Sequence, residues 1–250
     1  MVPLDLSRFN LGCFVNVPSG HLVELVASAG MDFVIIDMEH GPIDWETLEH
    51  LILCCEAAST PCIVRVPERR REYVLKALDC GASGVQMPMI NTKAEAEELV
   101  RLAKYPPDGI RGTAFNHRAA KFGLIPDRSA YLRESNQNTR VVLHIETVEA
   151  VNHIDDIVSV EGVDVIFIGP ADLSVSMGYA HDMGNQKVLD TISYVAEKAL
   201  SAGKTVGTLI RGADEIESFK NKGITYLCTT VQSMILKACN QYKEAIGKLS

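Results

Sequence analysis

Two carboxylates, Glu146 and Asp172, each follow a buried apolar run, and they set the chemistry open to this chain. Val141-Val142-Leu143-His144-Ile145 leads into Glu146, and Val163-Asp164-Val165-Ile166-Phe167-Ile168 leads into Gly169-Pro170-Ala171-Asp172. Between them, Ala150, Val151, Ile154, Ile157 and Val158 fall at helical spacing. Strand, helix, strand is a right-handed βαβ unit, so both strands end on one side and both carboxylates face one mouth. With no basic residue beside them in sequence, they repel each other unless a proton or a cation lies between. Hard oxygen donors favour a divalent metal ion. The alternative is capping, since a carboxylate near a helix start is favourable in any case.

Other candidates stand at the ends of other apolar runs. Asp37-Met38-Glu39-His40-Gly41-Pro42 closes one, and a histidine held there can move a proton near neutral pH, or simply bond to backbone. Arg65 ends Cys62-Ile63-Val64, and a buried guanidinium needs an anionic partner: a bound substrate by preference, otherwise Asp37 or Glu39. His144 shares a strand face with Glu146 one layer deeper, as a third ligand, a substrate contact or an interior polar residue. Gly169-Pro170-Ala171-Asp172 opens a helix, whose N–H groups suit an anion, and Leu209 ends a further strand. Together a cation, an arginine and a helix start would hold a 2-oxo acid, stabilise the charge of an enolate and leave His40 to move a proton. That is the logic of a metal-dependent pyruvate aldolase. A Schiff-base aldolase is disfavoured because no lysine falls at the end of an inner strand.

The elements that must position these residues alternate along the whole chain. Strands are expected at 11–15, 31–37, 61–66, 84–87, 141–145, 163–168, 204–210 and 224–229. Helices are expected at 19–29, 44–58, 69–79, 92–104, 147–160, 186–202 and 231–249, with a short one ending at Lys222. Four junctions share a lone glycine (30, 81, 203, 223) between helix and strand, a residue that takes the left-handed turn at low steric cost. Eight alternations in 250 residues point to a single (β/α)8 TIM barrel over 1–250, and the absence of G-x-G-x-x-G after the first strand speaks against a doubly wound sheet. One long insertion, 105–138, with a short helix at 127–135, is expected to be functional or to make subunit contacts.

Composition narrows the partners. Net charge −8 and a pI near 5.4 argue against nucleic acid or an anionic membrane surface. No apolar run approaches the roughly 20 residues of a membrane span, and MVPLDLSRFNLG lacks the form of a signal peptide. Seven cysteines without a CxxC read as reduced thiols of a cytoplasmic protein.

The motifs DFVIIDMEHGP, PCIVRVP, LDCGASGVQMPMI, YPPDGIRG, IETVEAV and GVDVIFIGPADLS resemble, in order and spacing, the HpcH/HpaI family of class II 2-oxo acid aldolases, from about Gly12 to Gly178. The resemblance implies a barrel whose last helix is exchanged between subunits of a homo-oligomer, a hexamer or trimer of dimers. It implies a Mg2+, Mn2+ or Co2+ ion, and reversible cleavage of a 4-hydroxy-2-oxo acid to pyruvate and an aldehyde. It makes Glu146 and Asp172 the metal ligands, Arg65 the residue steadying the enolate and His40 the acid/base group. Asp79 becomes the carboxylate partner of His40, supplied by a neighbouring chain, and the amides of Ala171 and Asp172 hold the oxo-acid carboxylate. The chain departs from the family at His144, where members carry glutamine, after Arg111-Gly112, and in LCTTVQSM at the eighth strand, which lacks a glycine-x-aspartate.

Two other activities fit parts of the same set. A decarboxylase or CoA-thioester lyase could use the same metal–enolate site, the latter needing a basic rim for which only Arg69-Arg70-Arg71 is a candidate. A non-catalytic oxo-acid-binding barrel would have no need of a proton shuttle.

Overall fold

The computed structural model describes residues 1–247. Eight strands, β1 (Asn10–Val15), β2 (Phe33–Asp37), β3 (Cys62–Arg65), β4 (Gly84–Met87), β5 (Arg140–Ile145), β6 (Val165–Ile168), β7 (Thr205–Leu209) and β8 (Tyr226–Thr230), pair in parallel and in order. β1 also pairs with β8, which closes the barrel and removes every sheet edge.

Helices fill the outside: α1 (Gly20–Ser28), α2 (Trp45–Ala57), α3 (Arg71–Asp79), α4 (Lys93–Ala103), α5 (Arg128–Asn138), α6 (Val148–Asn152), α7 (Ile154–Val158), α8 (Pro170–Ser176), α9 (Gln186–Ser201), α10 (Ile216–Asn221) and α11 (Val231–Gly247). Several begin on residues chosen for the purpose. Asp44 and Thr147 accept N–H groups of the first turn, and Thr92 with Glu95 forms a reciprocal capping box. The four junction glycines, 30, 81, 203 and 223, have φ of 92, 108, 71 and 76°, the left-handed turn that spacing had required of them.

Two expectations are corrected, and a third is met as far as the described residues reach. The helix expected at 147–160 breaks at His153 (ψ 13°), whose ring nitrogen donates to the Asn91 carbonyl at 2.9 Å. α5 runs on to Asn138, because the buried Lys104 ammonium caps its last turn with bonds to the carbonyls of Asn136 and Thr139, both 2.6 Å. The last helix reaches Gly247, and the remainder of the expected 231–249 helix lies outside the described residues.

The apolar residues form two cores, separated by strand parity. Outward positions such as Val34, Ile36, Val64, Val85 and Ile166 pack against the helices. Inward positions, Phe14, Phe33, Ile35, Ile63, Val142, Val165, Phe167, Tyr226 and Cys228, fill the barrel, with Leu4 from the N-terminal segment among them. Leu4 is 1% exposed, and Arg140 Nε donates to its carbonyl at 3.0 Å, so this segment stoppers the amino-terminal end of the barrel. The other end stays open. α11 is the exception to the packing: only Val231 is buried, while Ile235, Leu236, Tyr242 and Ile246 are exposed.

Candidate active site

Inward parity carries on past the core and turns polar. Two residues beyond Ile35 and Ile63 come Asp37 and Arg65; two and four beyond Val142 come His144 and Glu146; beyond Phe14 and Cys228 come Asn16 and Thr230. Side chains at i and i+2 share a strand face, so these groups converge at the carboxyl end of the barrel. They line a cavity of about 220 Å3 with His40, Phe167, Gly169, Pro170, Ala171, Asp172, Leu209 and Gln232.

Arg65 is tied down within the chain. Its Nε and Nη2 donate to Asp37 Oδ1 and Oδ2 at 2.8 and 2.6 Å, Nη1 lies 3.1 Å from Glu39 Oε2, and its carbon sits 5.0 Å from the Phe14 ring centre. Burial works against the cation, but the Asp37 bonds and charge more than offset it, and its pKa lies above the ordinary value. The sequence favoured a substrate as the anionic partner and named Asp37 and Glu39 as the alternative; both bind Arg65 here, leaving one N–H on each Nη unspent in a residue that lines the cavity. Asp37 Oδ1 also accepts the backbone N–H groups of Glu39 (3.1 Å) and His40 (3.3 Å), so one carboxylate fixes both the arginine and the loop bearing the histidine. His40 is 63% exposed, with Nε2 3.8 Å from Glu39 Oε2. Burial raises the Glu39 carboxyl above its ordinary value although Arg65 and His40 pull it down.

Glu146 is 4% exposed and held at both oxygens. Oε1 accepts the Met89 N–H at 2.7 Å, and Oε2 accepts from His144 Nδ1 at 2.9 Å. Burial pushes this carboxyl up, but His144, the Met89 N–H and Arg65 outweigh it and leave the pKa below its ordinary value. Its room comes from Gly169, where an added Cβ would lie 2.6 Å from Oε2. His144 stacks on Phe167 at 4.7 Å, and its Nε2 meets Gln86 Nε2 at 2.5 Å. Gln86 Oε1 is buried without a hydrogen-bond partner among the described residues. Both ring nitrogens of His144 are thus engaged, one by Glu146 and one by Gln86, while the ring lines the cavity.

Asp172, on the first turn of α8, is exposed, and its carboxylate has no hydrogen bond or ion pair among the described residues. Glu146 keeps a lone pair on each oxygen, so two hard-oxygen carboxylates are available on one cavity wall. Among the described residues no three His, Cys, Asp or Glu side chains converge as a ready-made metal cluster. Two carboxylates with substrate and water completing the shell is a mode Mg2+ accepts, and this donor set fits it.

Asp79 stands apart. It ends α3, ahead of β4 and therefore at the closed end of the barrel, bonded to Arg111 at 2.7 Å with His117 Nε2 at 3.6 Å. Within one chain it does not meet His40. Arg69 and Arg70 are engaged by Glu95, Glu98 and Glu68, and none of Arg69, Arg70 and Arg71 lines the cavity. Sequence reasoning missed Phe14, Asn16, Phe167 and Gln232. Asn16 was findable, since it follows a strand as Glu146 does; the two phenylalanines read as ordinary core.

The comparisons with known proteins agree. A family model described as HpcH/HpaI aldolase/citrate lyase matches residues 10–237. A 5-keto-4-deoxy-D-glucarate aldolase of Salmonella arizonae is 31% identical over 96% of this chain and 93% of its own length. A crystal structure of an HpcH/HpaI aldolase/citrate lyase family protein from Burkholderia cenocepacia superposes with a TM-score of 0.89 at 32% identity, covering 96% and 95% of the two chains. The citrate synthase SbnG gives 0.87 at 31% identity, covering 96% and 94%.

Proposed function

The chain belongs to the HpcH/HpaI aldolase/citrate lyase family, and from that premise we propose that it is a metal-dependent carbon–carbon lyase that reversibly cleaves a 4-hydroxy-2-oxo acid to pyruvate, or a related 2-oxo acid, and an aldehyde. The observation that carries this reading is the single cavity shared by Glu146, Asp172, Arg65 and His40. Glu146 and Asp172 would hold a Mg2+, Mn2+ or Co2+ ion, which when bound polarises the ketone of the oxo acid.

The chain's own groups do the rest. The N–H groups Arg65 does not spend on Asp37 and Glu39 face the oxo-acid oxygen and steady the charge that grows there as the carbon–carbon bond breaks. Ala171 and Asp172 turn backbone N–H groups toward the oxo-acid carboxylate, Gly169 keeps that wall open, and Leu209 packs on the carbon skeleton. His40 takes the proton of the 4-hydroxyl during cleavage and returns it in synthesis. Its exposure leaves room for Asp79 of a neighbouring chain, which fits Asp79 lying far from His40 in its own.

We assign the chain to one catalytic unit, assembled in a hexamer or trimer of dimers with α11 exchanged between subunits. Support comes from the apolar residues that α11 leaves uncovered. No helix is long and apolar enough to cross a membrane, and all seven cysteines are free, which supports a reducing cytoplasmic setting.

The deciding experiment is exchange of pyruvate methyl protons with deuterium, followed by NMR with and without Mn2+. Exchange that needs both the metal and Arg65 supports the aldolase; absence of exchange with any of the three metals would return the chain to an oxo-acid-binding role.

A further inference from the structure

We infer that Gln86, which has no part in the chemistry above, fixes the tautomer of His144 and through it the carboxylate of Glu146; the inference rests on Glu146 holding the metal. Gln86 is an inward residue of β4. Val85 and Met87 on either side pack with the outer core, and Gln86 is fully buried, between Arg65 and Val142 in strand register. Its Nε2 lies 2.5 Å from His144 Nε2, and its Oε1 has no hydrogen-bond partner among the described residues. A buried amide with an unpaired oxygen costs stability. An apolar side chain of the same size would suit the position better if packing were all that Gln86 supplied.

The ring it touches is held on three sides. His144 is buried, stacks on Phe167 with 25° between the planes, and sets Nδ1 2.9 Å from Glu146 Oε2. Phe167 is itself wedged edge-on between Phe14 and Tyr226, at 6.0 and 6.2 Å. A neutral imidazole has one N–H and one lone pair, and a carboxylate only accepts. In a neutral ring both contacts are hydrogen bonds in one arrangement alone: the Gln86 NH2 donates to Nε2, and Nδ1 carries the proton given to Glu146. The opposite tautomer would turn the Nδ1 lone pair onto the carboxylate and the Nε2 proton onto the amide nitrogen. Gln86 therefore selects the form of the ring that can hold Glu146. The other carboxylate oxygen accepts the N–H of Met89, whose φ of 56° is left-handed backbone, a strain that clusters at functional sites. With both oxygens tied, the carboxylate keeps one orientation, as a metal ligand ordered by its surroundings does. Gln86 does not line the cavity, so it is a positioning residue that acts through His144.

The test reads the ring and the metal separately. Magic-angle-spinning NMR of the Mg2+-loaded protein labelled with 15N-histidine, with His144 assigned by its loss in His144→Phe, should show Nδ1 protonated and Nε2 bare. Gln86→Leu should remove that bias and, by calorimetric titration, lower Mn2+ affinity about tenfold. Its melting temperature should stay close to wild type, since one unpaired buried atom, His144 Nε2, replaces another, Gln86 Oε1. In a His144→Phe background the same Gln86→Leu substitution should change Mn2+ affinity less than about twofold, because the route to Glu146 is gone. A tenfold loss in both backgrounds would mean that Gln86 acts through packing, and an unchanged affinity in the first would mean that it does not act at all; either overturns the inference. So would a wild-type ring protonated at Nε2, which puts the amide oxygen against it, and this spectrum decides the matter even if Gln86→Leu does not fold. With wild-type Mn2+ binding and metal-dependent methyl-proton exchange intact, those results leave the aldolase reading standing. A wild type that binds no Mn2+ would overturn that reading and this inference with it.

Discussion

Asp37 and Arg65, adjacent across β2 and β3, meet at two points: Nε to Oδ1 at 2.8 Å and Nη2 to Oδ2 at 2.6 Å, with side chains 4% and 12% exposed. Such a fork-to-fork pair fixes the plane of the guanidinium as well as its charge. Breaking it from the aspartate side leaves a buried cation short of its partner, and Asp37→Ala should cost about 3–5 kcal/mol. Urea unfolding of the two proteins measures this; a loss under about 1 kcal/mol, the range of exposed pairs, would show that Glu39 alone suffices.

The two ends of the site should separate by metal content. Asp172→Ala is expected to lose the metal and turnover together, whereas Arg65→Ala keeps the metal and loses turnover. Mn2+ bound per chain after dialysis decides the matter, and an Asp172→Ala protein at full occupancy would refute the ligand assignment.

His144 governs Glu146 through one bond, Nδ1 to Oε2 at 2.9 Å. His144→Ala removes that donor and the stacking on Phe167, so Mn2+ affinity should fall by about 10–100-fold, the usual effect of losing a group that orients a ligand. Calorimetric titration reads it directly. An affinity unchanged by the substitution would mean that the Met89 N–H is enough to hold the carboxylate.

Glu39 predicts a pH slope. Burial raises its folded pKa, so the folded state binds more protons than the unfolded one, where the value is about 4.3. Its contribution is therefore full below about pH 4 and is lost as pH rises through the folded value. Relative to Glu39→Gln, the wild type should lose stability between pH 4 and neutrality. Parallel urea midpoints at several pH values test the sign; a gap moving the other way would mean that Arg65 outweighs burial.

Leu4 tests the stopper. Leu4→Ala opens a cavity among Phe33, Tyr226 and their neighbours at the closed end and should cost about 2–5 kcal/mol. The cavity at the open end is built from other residues, so pyruvate methyl-proton exchange below the melting temperature should persist. A stable variant that had lost exchange would argue that the two ends are coupled.

The sequence by itself determined the barrel, because apolar runs of strand length alternating with helical spacing and C-terminal glycines leave few other folds. It also picked out Glu146, Asp172, Arg65 and His40, since polar residues closing apolar strands stand out against their surroundings. What only the tertiary structure decided is who meets whom. Parity around a closed barrel brings Asn16 and Gln232 together from the two ends of the chain, sets Asp37 against Arg65, and turns His144 onto Glu146. Asp79, at the end of α3, lies at the opposite end of the barrel from these groups. Local pattern fixes which face a side chain takes; contacts between residues far apart along the chain depend on how the strands close, and that is set by the packing of the whole core.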